Sequence, residues 1–535
     1  MVSADVEFGS FTDVGPWVLE PDTLVWRQGL AAIRADVHAS LPRLTRVRKL
    51  PPGQRIGTTI RHLGGAMLLW FIKEKRKDTP EKLAGISRRL RVAAEHLGPT
   101  YIKLGQIISS GEGIFPAELV AEFKKCRDQV PPEPWPVVQR VLTEELGRPL
   151  HEVFASIDEQ PLAAASIAQV HRAVLLDGTE VVVKVQRPAV SERVHRDLAV
   201  MAWVAPHLTG RIPVAALANP PALVELFAET IVEELDFRLE AENMLDIAST
   251  YAALDQRDFV IPRPHPTLVT RRMLVMERLS GFNFGDVEGM HAAGIDTEAI
   301  VRSGMIGFLE GAMMHGIFHG DLHGGNLFVL PSGRIALLDF GITARLSETK
   351  RLALLSLIVA ATNADIAAQV AAMKDLGAFP DTVDIDYVIA QLGLDRPPID
   401  PTKLTADELV NELQQSIKTL LSLGARLPKE LMLFVKNMVF LDGSIATLAP
   451  DLDLFGEIEA IALMFATKHG EKIMSQLGLE QSMDWQPDLS SVKAGFGLDD
   501  SVDHLTHRDL QARRAEVQKK FEGRGGERRR RRAKH

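Results

Sequence analysis

Residues 318–341 read FHGDLHGGNLFVLPSGRIALLDFG, and this stretch decides how the rest of the chain is read. A loop holding His319, Asp321, His323 and Asn326 is followed by the turn-forming PSG. The apolar run RIALL then reads as a strand that closes on Asp339, Phe340 and Gly341. Asn326 and Asp339 supply the hard oxygens that Mg²⁺ requires, an ion that takes one or two protein oxygens and completes its octahedron with water and phosphate. Asp321, five positions before Asn326, is suited to orient a substrate hydroxyl and accept its proton. His319 and His323 read first as structural, packing or hydrogen-bonding within the loop. A zinc site built on them is the weaker alternative, because carboxylate and amide oxygens dominate the neighbourhood.

Phosphate chemistry on such a loop needs two further groups upstream: a cation on a β-strand to hold phosphates, and a helical acid to position that cation. EVVVKVQRP (180–188) places Lys184 in an apolar strand, where a solvated lysine is unexpected. ETIVEELDFRLEAENM (229–244) reads as one helix carrying Glu233, Glu234, Asp236, Glu240 and Glu242. Most of these acids would face solvent, but a buried lysine requires a partner, and Glu240 is assigned that role.

Around this centre the apolar spacing divides the chain. Residues 1–80 read as a basic, irregular and partly helical leader. Residues 81–150 have helical periodicity, with VPPEPWP separating two helices. From about 151 to 280 strand patterns enter. AAASIAQVHRAVLLDGTEVVVKVQRP is a hairpin turning at Asp177-Gly178, helices follow at about 190–208 and 220–247, and LVTRRMLVMERLSG supplies further strands. Residues 281–484 read as mostly helical, and 485–535 as a mobile tail ending in a run of arginines.

The 535 residues exceed one compact core, so two domains or one with a large extension are expected. A formal net charge of −9 makes a nucleic-acid-binding protein an unexpected reading. The single cysteine, Cys126, excludes an intrachain disulfide and a cysteine-based zinc site, and fits a reducing compartment. MVSADVEFGSFTDVGPW lacks a secretion signal, and no stretch has the roughly 18 uninterrupted apolar residues of a spanning helix. The expected location is cytoplasmic, with peripheral contact on an anionic membrane through the basic leader, GAMLLWFI (65–72) and the arginine-rich tail. The bland alternative for the tail is a solubilising end.

In order, KLGQ (103–106), AAASIAQVH (163–171), VVVKVQRP, EELDFRLEAEN, HGDLHGGN and LLDFG resemble the motifs of the UbiB/AarF family of atypical, protein-kinase-like proteins, over roughly 85–345. The resemblance implies an α+β, two-lobed protein-kinase-like fold with a helical N-terminal extension, and ATP (or ADP) with Mg²⁺ as cofactors. It assigns Lys184 and Glu240 as an ion pair, Asn326 and Asp339 to metal, and Asp321 to catalysis. Ala163, Ala164, Ala165 and Ser166, which replace a glycine-rich lid, are expected to bind nucleotide together with Lys184, Met276, Glu277 and Leu279. Lys103, Gly105 and Gln106 are expected to meet Glu234 and Asp236 over the place where a protein substrate would dock.

Two departures count against peptide substrates: the loop reads His-Gly-Asp, without an arginine to pair with an activation-loop phosphate, and DFGITARLSETKRL leaves little room for an activation loop. Three functions follow. The first is an ATPase or small-molecule kinase serving isoprenoid-quinone or other lipid metabolism, with a lipid or quinone precursor as partner. The second is a nucleotide-sensing scaffold with little turnover, and the third is an ordinary protein kinase. The oligomeric state and the phosphoryl acceptor are not legible in the sequence.

Overall fold

The structure, a computed structural model, describes residues 6–47, 53, 55–74, 79–109, 116–126, 131–208, 220–363, 365–395, 419–420, 422–425, 428–478, 490, 493, 498–499, 501–513 and 515. The arginine run at the C-terminus lies outside these residues. The chain divides into two compact units. The first comprises 1–281 with 319–330 and 336–343; the second comprises 282–318, 331–335 and 344–535.

In the first unit, helices α1 (Leu30–Leu44), α2 (Gly65–Lys73), α3 (Thr79–Leu97), α4 (Pro99–Ser109), α5 (Ala117–Phe123) and α6 (Trp135–Leu146) precede an antiparallel sheet. Its strands are β1 (Phe154–Ile157), β2 (Ala163–Ala164), β3 (Ala168–Leu175), β4 (Glu180–Gln186), β5 (Pro264–Val269) and β6 (Met273–Glu277), in the order β1-β3-β4-β6-β5 with β2 paired to β3. Helices α7 (Val190–Leu208), α8 (Pro220–Glu233) and α9 (Phe237–Ala253) lie between β4 and β5 in sequence.

The β3–β4 hairpin closes at Asp177-Gly178. Gly178 sits at φ 90°, a conformation that costs glycine nothing, and the Asp177 carboxylate accepts from the Thr179 amide at 2.9 Å. Along β4 the side chains alternate. Val181, Val183 and Val185 are buried at 0–1% exposure in a cluster with Val138, Val141 and Leu142 of α6. Burying each valine is worth about 1.5–3 kcal/mol, which fixes the register and turns Lys184 to the opposite face.

The run read from sequence as one helix, 229–244, is two. Asp236 is extended (φ −137°) and caps α9 by accepting from the Arg238 amide at 3.1 Å. The break is held from outside: Gln186 Nε2 donates to the Leu235 carbonyl at 3.1 Å, and the Phe237 amide donates to the Arg271 carbonyl at 3.0 Å. The leader is also more built-in than its composition suggests. Phe11, Leu19, Leu24 and Trp26 are buried, the Ser10 amide donates to the Ala248 carbonyl at 3.0 Å, and Arg27 pairs with Glu242 at 2.9 Å.

The second unit is mostly helical, built on Thr297–Glu310, Glu348–Thr362, Lys429–Leu448 and Leu454–Leu477. In its core Phe308 stacks on Phe434 and Phe318 meets both edge-on, and buried Glu310 takes both Lys468 and His469 at 2.8 Å. Residues 501–513, within the tail read as mobile, contribute buried Leu505 and Leu510, and the Leu505 carbonyl accepts from the Leu454 amide at 2.9 Å. Among the described residues, Lys429–Leu448 alone is long and apolar enough to cross a membrane by length and composition, and 50% of that window is buried in the fold.

Candidate functional site

All the charged residues singled out in the sequence for this site fall in the first unit. Lys184, on the face of β4 away from the valine core, reaches Glu240 of α9 at 2.6 Å and Asp339 at 3.4 Å, with its ammonium 5.5 Å from the Phe237 ring centroid. Lys103 of α4 meets Glu234 at 2.9 Å. Both lysines are held charged well above the ordinary range: burial opposes the charge, but the surrounding carboxylates outweigh it. Asp321 and Asp339 both act on Lys103 through space, so two ammonium groups serve four carboxylates.

Those carboxylates respond differently. Glu240, only 3% exposed, is pushed up to about 7, chiefly by burial, against the pull of Lys184. Burial also raises Glu234 despite Lys103. Asp339 keeps 46% of its side-chain surface open. Although burial works against it, Lys184, Lys103 and the Gly341 amide hold it ionised, at about 2.

The loop that carries Asp321 is braced to the Asp339 segment through His319. The buried imidazole accepts the Asp321 amide on Nδ1 at 3.1 Å and donates from Nε2 to the Asp339 carbonyl. Burial lowers its pKa, so it works as a neutral strut. Asn326 donates from Nδ2 to the Asp321 carbonyl at 3.1 Å, leaving Oδ1 as its acceptor. His323 accepts the Gly325 amide at 3.1 Å. The α9 helix secures the other side: Asn243 donates to the Phe340 carbonyl at 2.8 Å, and the Phe340 amide leans on Glu240 at 3.4 Å. Asn243 was not singled out in the sequence; its place one turn after Glu240 was the available signal.

Asp339 and Asn326 fit Mg²⁺ by donor chemistry, one ionised carboxylate and one amide oxygen, the spare ligation this ion uses beside phosphate. Among the described residues no three His, Cys, Asp or Glu side chains come together as a metal cluster.

Not every expected residue converges. Asp236 caps α9 and pairs with Arg238 at 2.7 Å, while Glu234 alone meets Lys103. The Glu277 carboxylate is occupied by Arg263 at 3.2 Å and by the Thr12 hydroxyl at 2.6 Å. Leu279 packs with Val260, Leu330 and Ala336, and Met276 is buried in β6. Gly105 is required by packing: a Cβ there would lie 2.5 Å from the Phe123 ring of α5. Gln106 makes its own contacts and gives its carbonyl to Ser109 at 2.8 Å. The alanine loop is a tight turn in which the Ala165 amide donates to the Ala168 carbonyl at 2.8 Å. Ala163 and Ala165 are exposed and Ser166 buried. Arg187 ties this turn from behind, donating to the Ala165 carbonyl at 2.8 Å and to Glu133 at 3.0 Å.

A family description, ABC1 atypical kinase-like domain, matches residues 125–373. An uncharacterised protein of Mycobacterium tuberculosis is 36% identical over 432 residues, covering 80% of this chain and 87% of that protein. An uncharacterised aarF domain-containing protein kinase of Arabidopsis thaliana is 31% identical over 391 residues, 68% of this chain and 72% of the relative. A probable protein kinase UbiB of Vibrio campbellii is 29% identical over 392 residues, 72% and 71%. With its mixed helix-and-sheet, kinase-like domain and its N-terminal helices, the chain belongs to the ABC1 (UbiB/AarF) family of atypical kinase-like proteins.

Proposed function

We propose that the first unit is a Mg²⁺-dependent ATP site of the UbiB type that hydrolyses ATP or transfers its phosphoryl group, in support of isoprenoid-quinone or other lipid metabolism at a membrane surface. The observation that carries this reading is the junction of Lys184 with Glu240 at 2.6 Å and Asp339 at 3.4 Å. It puts a strand lysine, its helical acid and an ionised, half-open carboxylate in one network. Lys184 would hold nucleotide phosphates and Glu240 would fix its position, with the turn at Ala163–Ser166 facing the nucleotide. Asp339 and Asn326 would hold Mg²⁺, which supplies neutralisation of phosphate charge when bound. Asp321 would orient the attacking oxygen and take its proton.

The membrane part of the proposal is supported by α2, where Leu68, Leu69, Phe71 and Ile72 are 44–67% exposed beside Lys73. An apolar face with a basic rim suits the surface of an anionic bilayer. A second reading, a nucleotide-sensing scaffold with little turnover, is favoured by the Lys103–Glu234 pair, since an ammonium inside the acidic cluster competes with metal for the same charges.

The test is ATP hydrolysis with Mg²⁺, with and without anionic vesicles and a phenolic quinone-precursor mimic, comparing parent protein with Asp339→Asn. Turnover that rises with vesicles and disappears in the variant supports the enzyme. Nucleotide binding without phosphate release under every condition favours the scaffold, and absence of nucleotide binding sinks both.

A further inference from the structure

A cavity of about 1120 Å³ lies in the first unit. It is lined by residues of α1, Gly53 and Arg55, α7, the ends of α8 and α9 with the turn between them, and the β5–β6 turn, and none of the residues of the Lys184–Glu240–Asp339 junction lines it. Its apolar lining is Ile33, Val37, Leu44, Val232 and Leu235, and five arginines line it as well. Three of these have a carboxylate of their own: Arg55 holds Asp197 at 2.7 Å, Arg196 holds Glu192 at 3.2 Å, and Arg238 holds Asp236 at 2.7 Å.

Arg43 and Arg271 do not. Among the described residues neither has an ion-pair partner, and both bear electrostatically on the half-buried imidazole of His195, which lines the same cavity. Asp36 is the remaining acid of the lining and makes no pair with them. Two exposed guanidinium groups that both bear on His195 repel one another, an anion between them relieves that repulsion, and arginine forks suit the oxygens of phosphate. An apolar lining with a few convergent polar groups is the usual anatomy of a ligand pocket, and the volume lies just above the common range of about 300–1,000 Å³.

We propose that this cavity binds a phosphate-bearing amphiphile, with the phosphate on Arg43 and Arg271 and the chain along Val37, Leu44 and Val232. The ligand class is set by the apolar and cationic lining together. The site is independent of the nucleotide reading, because none of the residues assigned to phosphate or metal in that reading contributes to it.

The experiment is calorimetric titration of the full chain with octyl phosphate, octanol and inorganic phosphate, repeated with Arg43→Gln and Arg271→Gln. Both arginines are exposed, so the substitutions leave the core intact, and far-ultraviolet circular dichroism checks this. Octyl phosphate should bind saturably and more tightly than either fragment, and each variant should weaken it about tenfold, the worth of one charge-assisted hydrogen-bonded group. Binding no tighter than octanol, or binding that both variants leave unchanged, overturns the proposal. Unchanged binding in the variants would place octyl phosphate elsewhere, including the nucleotide site. Sedimentation with phosphatidic acid vesicles then separates the sources. Loss of binding in both variants identifies a lipid headgroup, whereas vesicle binding that ignores them leaves a soluble phosphate ester as the ligand.

Discussion

Lys103→Met isolates the latch between α4 and the α8–α9 turn. In the parent protein Lys103 and Glu234 are 2.9 Å apart with side chains only 16% and 12% exposed. Removing the lysine leaves Glu234 with two options. Remaining ionised without its partner costs about 3–5 kcal/mol. Taking up a proton costs about 1.4 kcal/mol for each pH unit above its ordinary 4.5. The cheaper option caps the loss at about 3 kcal/mol at pH 7 and about 1.4 kcal/mol at pH 5.5. Urea unfolding followed by tryptophan fluorescence at the two pH values measures both. The Lys103→Met/Glu234→Gln double variant, which removes the buried charge along with its partner, should recover most of the loss at pH 7. A penalty of the same size at both pH values, or a double variant as unstable as Lys103→Met alone, would refute the argument that the latch exists to hold a buried charge.

Three other outcomes follow from the same geometry. Gly105→Ala drives a methyl group against the buried Phe123 ring. It should lower stability by about 1–3 kcal/mol in thermal unfolding, with partial recovery on Phe123→Leu; a neutral Gly105→Ala would show that α4 and α5 can separate freely. For Glu240 the folded-state pKa is raised from 4.5 to about 7, so its contribution is present in full below pH 4.5 and is lost as pH rises through 7. Relative to Glu240→Gln, the parent should therefore lose about 1.4 kcal/mol per pH unit across that window, and parallel pH profiles would contradict the assignment. Mg²⁺ should raise the melting temperature of the parent and leave Asp339→Asn unchanged, as measured by differential scanning fluorimetry; equal stabilisation of both would remove Asp339 from the metal site.

What the sequence reveals and what it hides divide along a physical line. The direction of Lys184 is legible because β4 alternates strictly. Once Val181, Val183 and Val185 are recognised as core, Lys184 has one face left. The turn at Asp177-Gly178 is legible for the same local reason. The break between α8 and α9 is not, because EELD has good helical character. Its unwinding depends on Gln186 of β4 and on the Arg271 carbonyl of the β5–β6 turn. Glu277 is the clearest case. The family resemblance puts it beside nucleotide, yet Arg263, just before β5, and Thr12, 265 residues away, already occupy its carboxylate. Periodicity reports which face a residue takes; it carries no information on which distant cation arrives there.

The site also shows how one lysine can leave two acids in opposite states. Glu240 and Asp339 both lie within 3.4 Å of Lys184, so the lysine alone cannot explain why one is pushed to about 7 and the other held at about 2. The remaining partners decide it. Burial opposes the charge on both acids, but Glu240 is also repelled by Asp339, whereas Asp339 is served by Lys103 and the Gly341 amide as well as by Lys184. Paired groups whose surroundings drive their pKa values apart take separate roles. A proton entering this network at neutral pH goes to the sealed side, on Glu240. The negative charge stays on Asp339, the carboxylate with open surface, where a cation arriving from solvent can use it.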